Sequence, residues 1–293
     1  MRNTIAGALA LLFGLAGAPM VRGQRMVPAA AQYETGRASV EHLIRQSGAE
    51  VSVAFRTLDG SQEIYIRAND EARATSQWVE IPVLIELYAE AQARTLQFDD
   101  SLLVRNSFHS AADGKVYHLD PERDPDAQMY QQIGSRMTLR ELEHHMMMQN
   151  SQLATNLLIE MLGISRIDQR MENLHANGVQ LRRGFQDAAA ESAGLRNTAS
   201  ARGMVEVLWA LANDAAVSAE ASKEMVGVLA NAKTAEKGPF AGERTSGTLG
   251  NDQEAVIVYG AHSFALAVVV RGLEPGPSTA LMAKISHALA AAN

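Results

Sequence analysis

The sequence predicts an α/β (α+β) protein in which one antiparallel sheet is assembled from both chain ends, flanked by terminal helices, with a helical lobe inserted between. Three observations predict it. Strand-like alternation is confined to residues 51–67 and 246–271, residues 138–232 carry helical periodicity, and an Ala-rich helical segment closes the chain at 277–292. Strands at both ends must share a layer to bury their apolar faces, so the middle forms its own lobe. Residues 24–293 then make one domain, with 24–70 and 235–293 as the sheet half and 71–234 as the helical lobe.

The elements follow in order. Residues 24–35 read as a polar, Ala-rich lead-in, and Ser39–Gln46 as a short helix with Val40, Leu43 and Ile44 on one face. Val51–Leu58 and Glu63–Arg67 alternate around an Asp59-Gly60 turn, a hairpin signal. Ile81–Thr95 is apolar nearly all round in its first half, the mark of a buried helix, and Pro82 suits a first helical turn. Residues 106–136 read as a long loop. Thr138 with Glu141 forms a capping box for the helix carrying Met146, Met147 and Met148. A helix from about Ser151 ends at Gly163, residues 176–197 are irregular, and helices follow at about 200–213 and 218–231. Strands are expected at Ser246–Leu249, Ala255–Tyr259 and Phe264–Arg271, separated by Gly-containing turns.

Composition narrows the function. The net charge of −7 provides no basic surface for nucleic acid. With no cysteine, disulfides, thiolate zinc sites and thiol catalysis are excluded. Arg2, the apolar run Ile5–Ala18 and the small residues before Gln24 read as a signal peptide over 1–23, with cleavage leaving no stable membrane anchor. The expected location is periplasmic or secreted.

Four segments carry a family likeness. Ile81–Leu87, Leu153–Ile159, Leu195–Ser200 and Arg244–Gly247 with its partner Ala255–Tyr259 resemble, in order and spacing, the framework of class A β-lactamases and serine penicillin-binding proteins. The resemblance covers nearly all of the chain after residue 23, and implies that fold. It also implies three catalytic slots, S-x-x-K, S-D-N and K-T-G. In this chain they read Gln77-Trp78-Val79-Glu80, Asn150-Ser151-Gln152 and Arg244-Thr245-Ser246. Shifting the last by one gives Thr245-Ser246-Gly247, which restores its glycine and loses its cation. Asp187 and Glu191 lie where the family's Ω-loop glutamate belongs, without its motif.

Acyl transfer needs a hydroxyl beside a base. Gln77 supplies an amide, and Glu80 reverses the charge of the lysine it replaces. By resemblance, the oxyanion-hole amides would be those of Gln77 and Gly247. The facing Lys-to-Glu and Lys-to-Arg changes suggest a Glu80–Arg244 ion pair, with Glu80 in the first helical turn near Asn150 and Gln152. Ser76 is the fallback nucleophile, but Val79 stands three residues on, so a helix cap is the better reading. Ser151 and Ser246 lack an identifiable base and fit backbone hydrogen bonding. Glu141 and His145 share a helical face and suit a polar surface pair better than a metal site. Asp120–Asp126 lacks the central glycine and distal glutamate of a calcium loop and reads as a solvated acidic loop. No metal or cofactor is expected. The likeness with its replaced slots implies an exported, non-catalytic homologue whose cleft takes a cell-wall peptide, a β-lactam or an envelope protein; the alternative is a weak or divergent serine hydrolase or β-lactamase acting on β-lactams or cell-wall peptides, through Ser76 or through new chemistry centred on Glu80.

Overall fold

The computed structural model describes residues 29–74, 76–232, 244–260 and 262–293. The expected signal peptide lies outside them, as do the side chains of Ser76, Gln77 and Arg244. In chain order the elements are α1 (Ala29–Ser47), β1 (Glu50–Thr57), β2 (Glu63–Ile66), β3 (Glu71–Arg73), α2 (Ser76–Gln92), β4 (Ser101–Leu103), β5 (Phe108–His109), β6 (Val116–Tyr117), β7 (Arg136–Thr138), α3 (Leu139–Gln149), α4 (Gln152–Leu162), α5 (Ile164–Asn173), α6 (Ala188–Ser192), β8 (Thr198–Ser200), α7 (Ala201–Ala212), α8 (Ala219–Asn231), β9 (Arg244–Leu249), β10 (Gln253–Tyr259), β11 (Phe264–Arg271) and α9 (Pro275–Ala292).

The main sheet runs β2-β1-β11-β10-β9 and is antiparallel throughout. Its central strands are buried on both faces, and alternation sorts their side chains. Val53, Phe55, Leu266, Val268 and Val270 face α1 and α9, whereas Ala54, Ala255, Ala265 and Ala267 face the helical lobe. The alanines let α7 lie close against β1, β10 and β11. The lobe and this inner face share one core, built on α2.

Three expectations need correction. The lead-in is helical from Ala29, because α1 packs along α9: a Cβ added to Gly36 would come within 2.5 Å of Ala292 Cβ. The irregular stretch 176–197 contains α6, capped by Asp187. Pro82 is not in the first turn of α2 but inside the helix, where its ring removes a backbone N–H that would bond the preceding turn. Burial on every side holds the helix there: every residue from Trp78 to Ala89 is buried. The Thr138–Glu141 capping box is formed as expected, and Met146 and Met147 fill the core.

Candidate functional site

The start of α2 carries the first slot. Glu80 is 0 % exposed, and neither of its carboxyl oxygens has a hydrogen-bond partner. The indole N–H of Trp78 is orphaned as well. Burial, reinforced by the nearby Asp124 carboxylate, pushes the Glu80 carboxyl well above the usual carboxylate range. A buried acid without a cation avoids the cost of charge by keeping its proton. The expected Glu80–Arg244 ion pair falls on a side chain outside the described residues. The expected place of Glu80 in the first turn of α2 is not borne out, since no acidic residue lies in that turn. Help from the helix dipole fades beyond that turn.

The second slot is the turn between α3 and α4. Asn150 closes α3 in the left-handed region, at φ 54°. Ser151 caps α4: its hydroxyl accepts from the Ala154 N–H at 3.2 Å and donates to Met129 Sδ at 3.0 Å. That hydroxyl is buried and spoken for. The Gln152 side chain reaches the Arg123 carbonyl at 3.3 Å and accepts from Gln186 at 2.9 Å.

Asp124 joins the two slots, and sequence reasoning missed it. Its carboxylate accepts from the N–H groups of Asp126 (3.0 Å), Gln152 (3.1 Å) and Leu153 (2.9 Å) and from the Tyr130 hydroxyl (3.0 Å). An anion at a helix N-terminus is well placed. Asp124 and Asp126 are only 5 % and 7 % exposed, so the 120–126 segment is not the solvated acidic loop expected from its composition. His145 pairs with Asp126, Nδ1 to Oδ2 at 2.6 Å, rather than with Glu141, which is taken up by the capping box. Asp-Pro-Asp at 124–126 next to a helix start was the available signal. Its partners are distant in sequence, which local pattern cannot supply.

The third slot lies on the edge strand β9, opposite β10, with Arg244 across from Tyr259, Thr245 from Val258, Ser246 from Ile257 and Gly247 from Val256. A Cβ at Gly247 would stand 2.2 Å from the Ala255 carbonyl oxygen and 2.7 Å from Val256 Cα. Only glycine fits, which favours the register Thr245-Ser246-Gly247. Ser246 is buried and borders a cavity of about 480 Å³ with Leu211, Lys223, Val226 and Tyr259. Among the described residues no side chain of α2 or α4 borders it. The structure thus brings Glu80 and the Asn150–Gln152 turn together around Asp124, while Ser246 opens beside α7 and α8.

The two Ω-region acids are structural. Asp187 is buried and accepts from the Ser110 hydroxyl (2.8 Å) and from the N–H groups of Ala111 (2.8 Å) and Ala190 (3.0 Å). Glu191 pairs with Arg183 at 3.1 Å. No group of three or more metal-ligating side chains occurs among the described residues.

Comparison with known proteins places this geometry. A search of curated proteins returned no match. Among solved structures, a β-lactamase from Sphaerobacter thermophilus is similar at 17 % identity and a TM-score of 0.70, covering 87 % of this chain and 95 % of its own. A β-lactamase from Chitinophaga pinensis matches at 15 % identity and a TM-score of 0.69, covering 88 % of this chain and 99 % of its own. The protein PBP-A matches at 14 % identity and a TM-score of 0.69, covering 87 % and 94 %. These likenesses establish the fold. The model of the Beta-lactamase enzyme family matches residues 37–292, and the chain belongs to that family.

Proposed function

We propose that this chain is a non-catalytic member of the family, exported to the periplasm or secreted, which uses the inherited cleft to bind rather than to acylate. The observation that carries the reading is Glu80. The slot that resemblance assigns to a basic lysine holds an enclosed carboxyl kept in its neutral form. A protonated acid cannot accept a proton from a hydroxyl, so no alcohol near the start of α2 gains a base from it. The residue at the nucleophile slot is Gln77, an amide. Ser151 is committed to capping. The apolar, Arg-led segment at 1–23 supports export, and no helix among the described residues is long and apolar enough to cross a membrane.

The ligand classes that suit the inherited cleft are a cell-wall peptide, a β-lactam held without acylation, or an envelope protein. Backbone amides at Gln77 and Gly247 would bind a carbonyl or carboxylate without chemistry. Turnover of a chromogenic cephalosporin by the purified chain and by Ser76→Ala tests the reading. Rates equal to buffer in both are expected. Turnover by the parent chain that Ser76→Ala abolishes would establish a weak serine hydrolase instead.

A further inference from the structure

The turn that follows α5 carries the one Asn-Gly step in the sequence, Asn177-Gly178. The structure assigns Asn177 as a site of spontaneous covalent modification, deamidation through a cyclic imide, which loosens the seating of β8 and the start of α7.

The chemistry needs two neighbouring groups left unengaged. The backbone nitrogen of the following residue must reach the asparagine Cγ. A hydrogen bond on either group opposes that approach, and a Cβ on the following residue crowds it. Asn177 is exposed. Among the described residues neither its carboxamide nor the Gly178 N–H has a hydrogen-bond partner. Gly178 has no Cβ to stand in the way. Other asparagines are held differently. Asn106, Asn156, Asn197 and Asn231 each commit the carboxamide to a backbone carbonyl. Asn69 is exposed, but the N–H that follows it, on Asp70, donates to the Arg67 carbonyl at 3.0 Å.

In the first step the Gly178 nitrogen bonds to Asn177 Cγ and the Cγ–Nδ2 bond breaks. The departing amide takes the Gly178 proton and leaves as ammonia. Water then opens the ring. Attack at Cγ gives an ordinary aspartate; attack at the Asn177 backbone carbonyl gives an isoaspartate, whose main chain runs through Cβ and is one carbon longer. Either product carries a new carboxylate, and no oxidant or reductant takes part.

The fold makes the extra carbon matter. A Cβ at residue 178 would stand 2.0 Å from Ser200 Oγ, so close packing requires glycine there. The Gly178 carbonyl accepts the Ser200 N–H at 2.9 Å, and Gln180 and Thr198 exchange backbone bonds at 2.8 and 3.0 Å. Ser200 in turn caps α7 through the Gly203 N–H at 3.0 Å. The residue that packing demands at 178 is thus the one that exposes Asn177 to cyclisation. A longer main chain at this turn shifts the Gly178 carbonyl away from Ser200 and weakens that seating.

The full chain, held folded in mildly alkaline buffer and sampled over time, is digested with trypsin, and the peptide Met171–Arg182 is followed by mass spectrometry with fragmentation. Two new forms are expected, aspartyl and isoaspartyl at Asn177, before any other described asparagine converts. Asn177→Gln would need a larger ring and should lose both. The isoaspartyl fraction should melt at a lower temperature than the parent, whereas Asn177→Asp, which adds the charge alone, should melt with the parent. Asn177 left intact while another described asparagine converts, conversion only after urea unfolds the chain, or an aspartyl product without its isoaspartyl partner would overturn the site. An isoaspartyl fraction that melts no lower than Asn177→Asp would overturn its effect on β8 and α7.

Discussion

One helix treats two buried glutamates in opposite ways. On α2, Glu80 is 0 % exposed and has no partner, whereas Glu86, 2 % exposed, receives Arg170 Nε at 2.8 Å. At both residues burial pushes the carboxyl up, but at Glu86 the arginine pulls against it. The framework end of the helix follows the general rule that a buried acid keeps a cation beside it. The slot end does not. Glu80 stands where the family resemblance places an amine, and neither of its carboxyl oxygens has a hydrogen-bond partner.

The contrast can be broken from either end. The largest effect is expected from Arg170→Met, which strips Glu86 of its partner. It should cost roughly 3 kcal/mol in urea unfolding at pH 7, the lower end for breaking a buried pair because Arg170 is partly exposed. A loss under about 1 kcal/mol would mean that the pair does not hold the framework, and the contrast would lapse.

Glu254 provides a second buried acid without a cation, hydrogen-bonded by Ser286 at 2.8 Å and pushed up by burial to about 7. Its folded value lies above the unfolded one, near 4.5. The unfolded chain therefore gives up this proton first, and stability falls as pH rises from about 4.5 to about 7, then levels. Glu254→Gln keeps an acceptor for Ser286 and removes that slope. The variant should gain on the order of 3 kcal/mol at pH 8 and nothing at pH 4. An equal gain at both pH values would show that ionisation is not the cause.

Glu80→Met removes the orphaned acid from the apolar start of α2. A gain of about 1–3 kcal/mol at pH 7 is expected from losing an unsatisfied buried polar group. An ion pair with Arg244 would require the opposite sign, a loss of roughly 3–5 kcal/mol. The sign alone decides between them. The smallest effect is expected from Ser151→Ala, about 1 kcal/mol lost with the α4 cap.

The same split between local and distant causes governs how much could be read from sequence. The β1–β2 hairpin, the capping box at Thr138 and the buried character of α2 are encoded in neighbouring residues, and each is legible. So is the order of framework segments that carries the family likeness. The partners of the site are another matter. Asp124 reaches the start of α4, and His145 reaches Asp126, through contacts between elements far apart in the chain. An acidic stretch such as 120–126 has the composition of a solvated loop, and only tertiary packing reveals that two of its carboxylates are enclosed. Pro82 similarly argues for a helix start by local rule, yet packing on every side carries α2 through it. The Glu80–Arg244 pair rests on complementary charge in facing slots, and complementary charge in sequence does not by itself place two side chains within reach.

Intact mass of the chain after prolonged incubation with a penicillin tests most directly whether α2 still begins an acylating site. An unmodified mass is expected at every ratio of drug to protein. A stable increase equal to one whole penicillin, absent from Ser76→Ala, would contradict the loss of nucleophile and base on which the binding role depends.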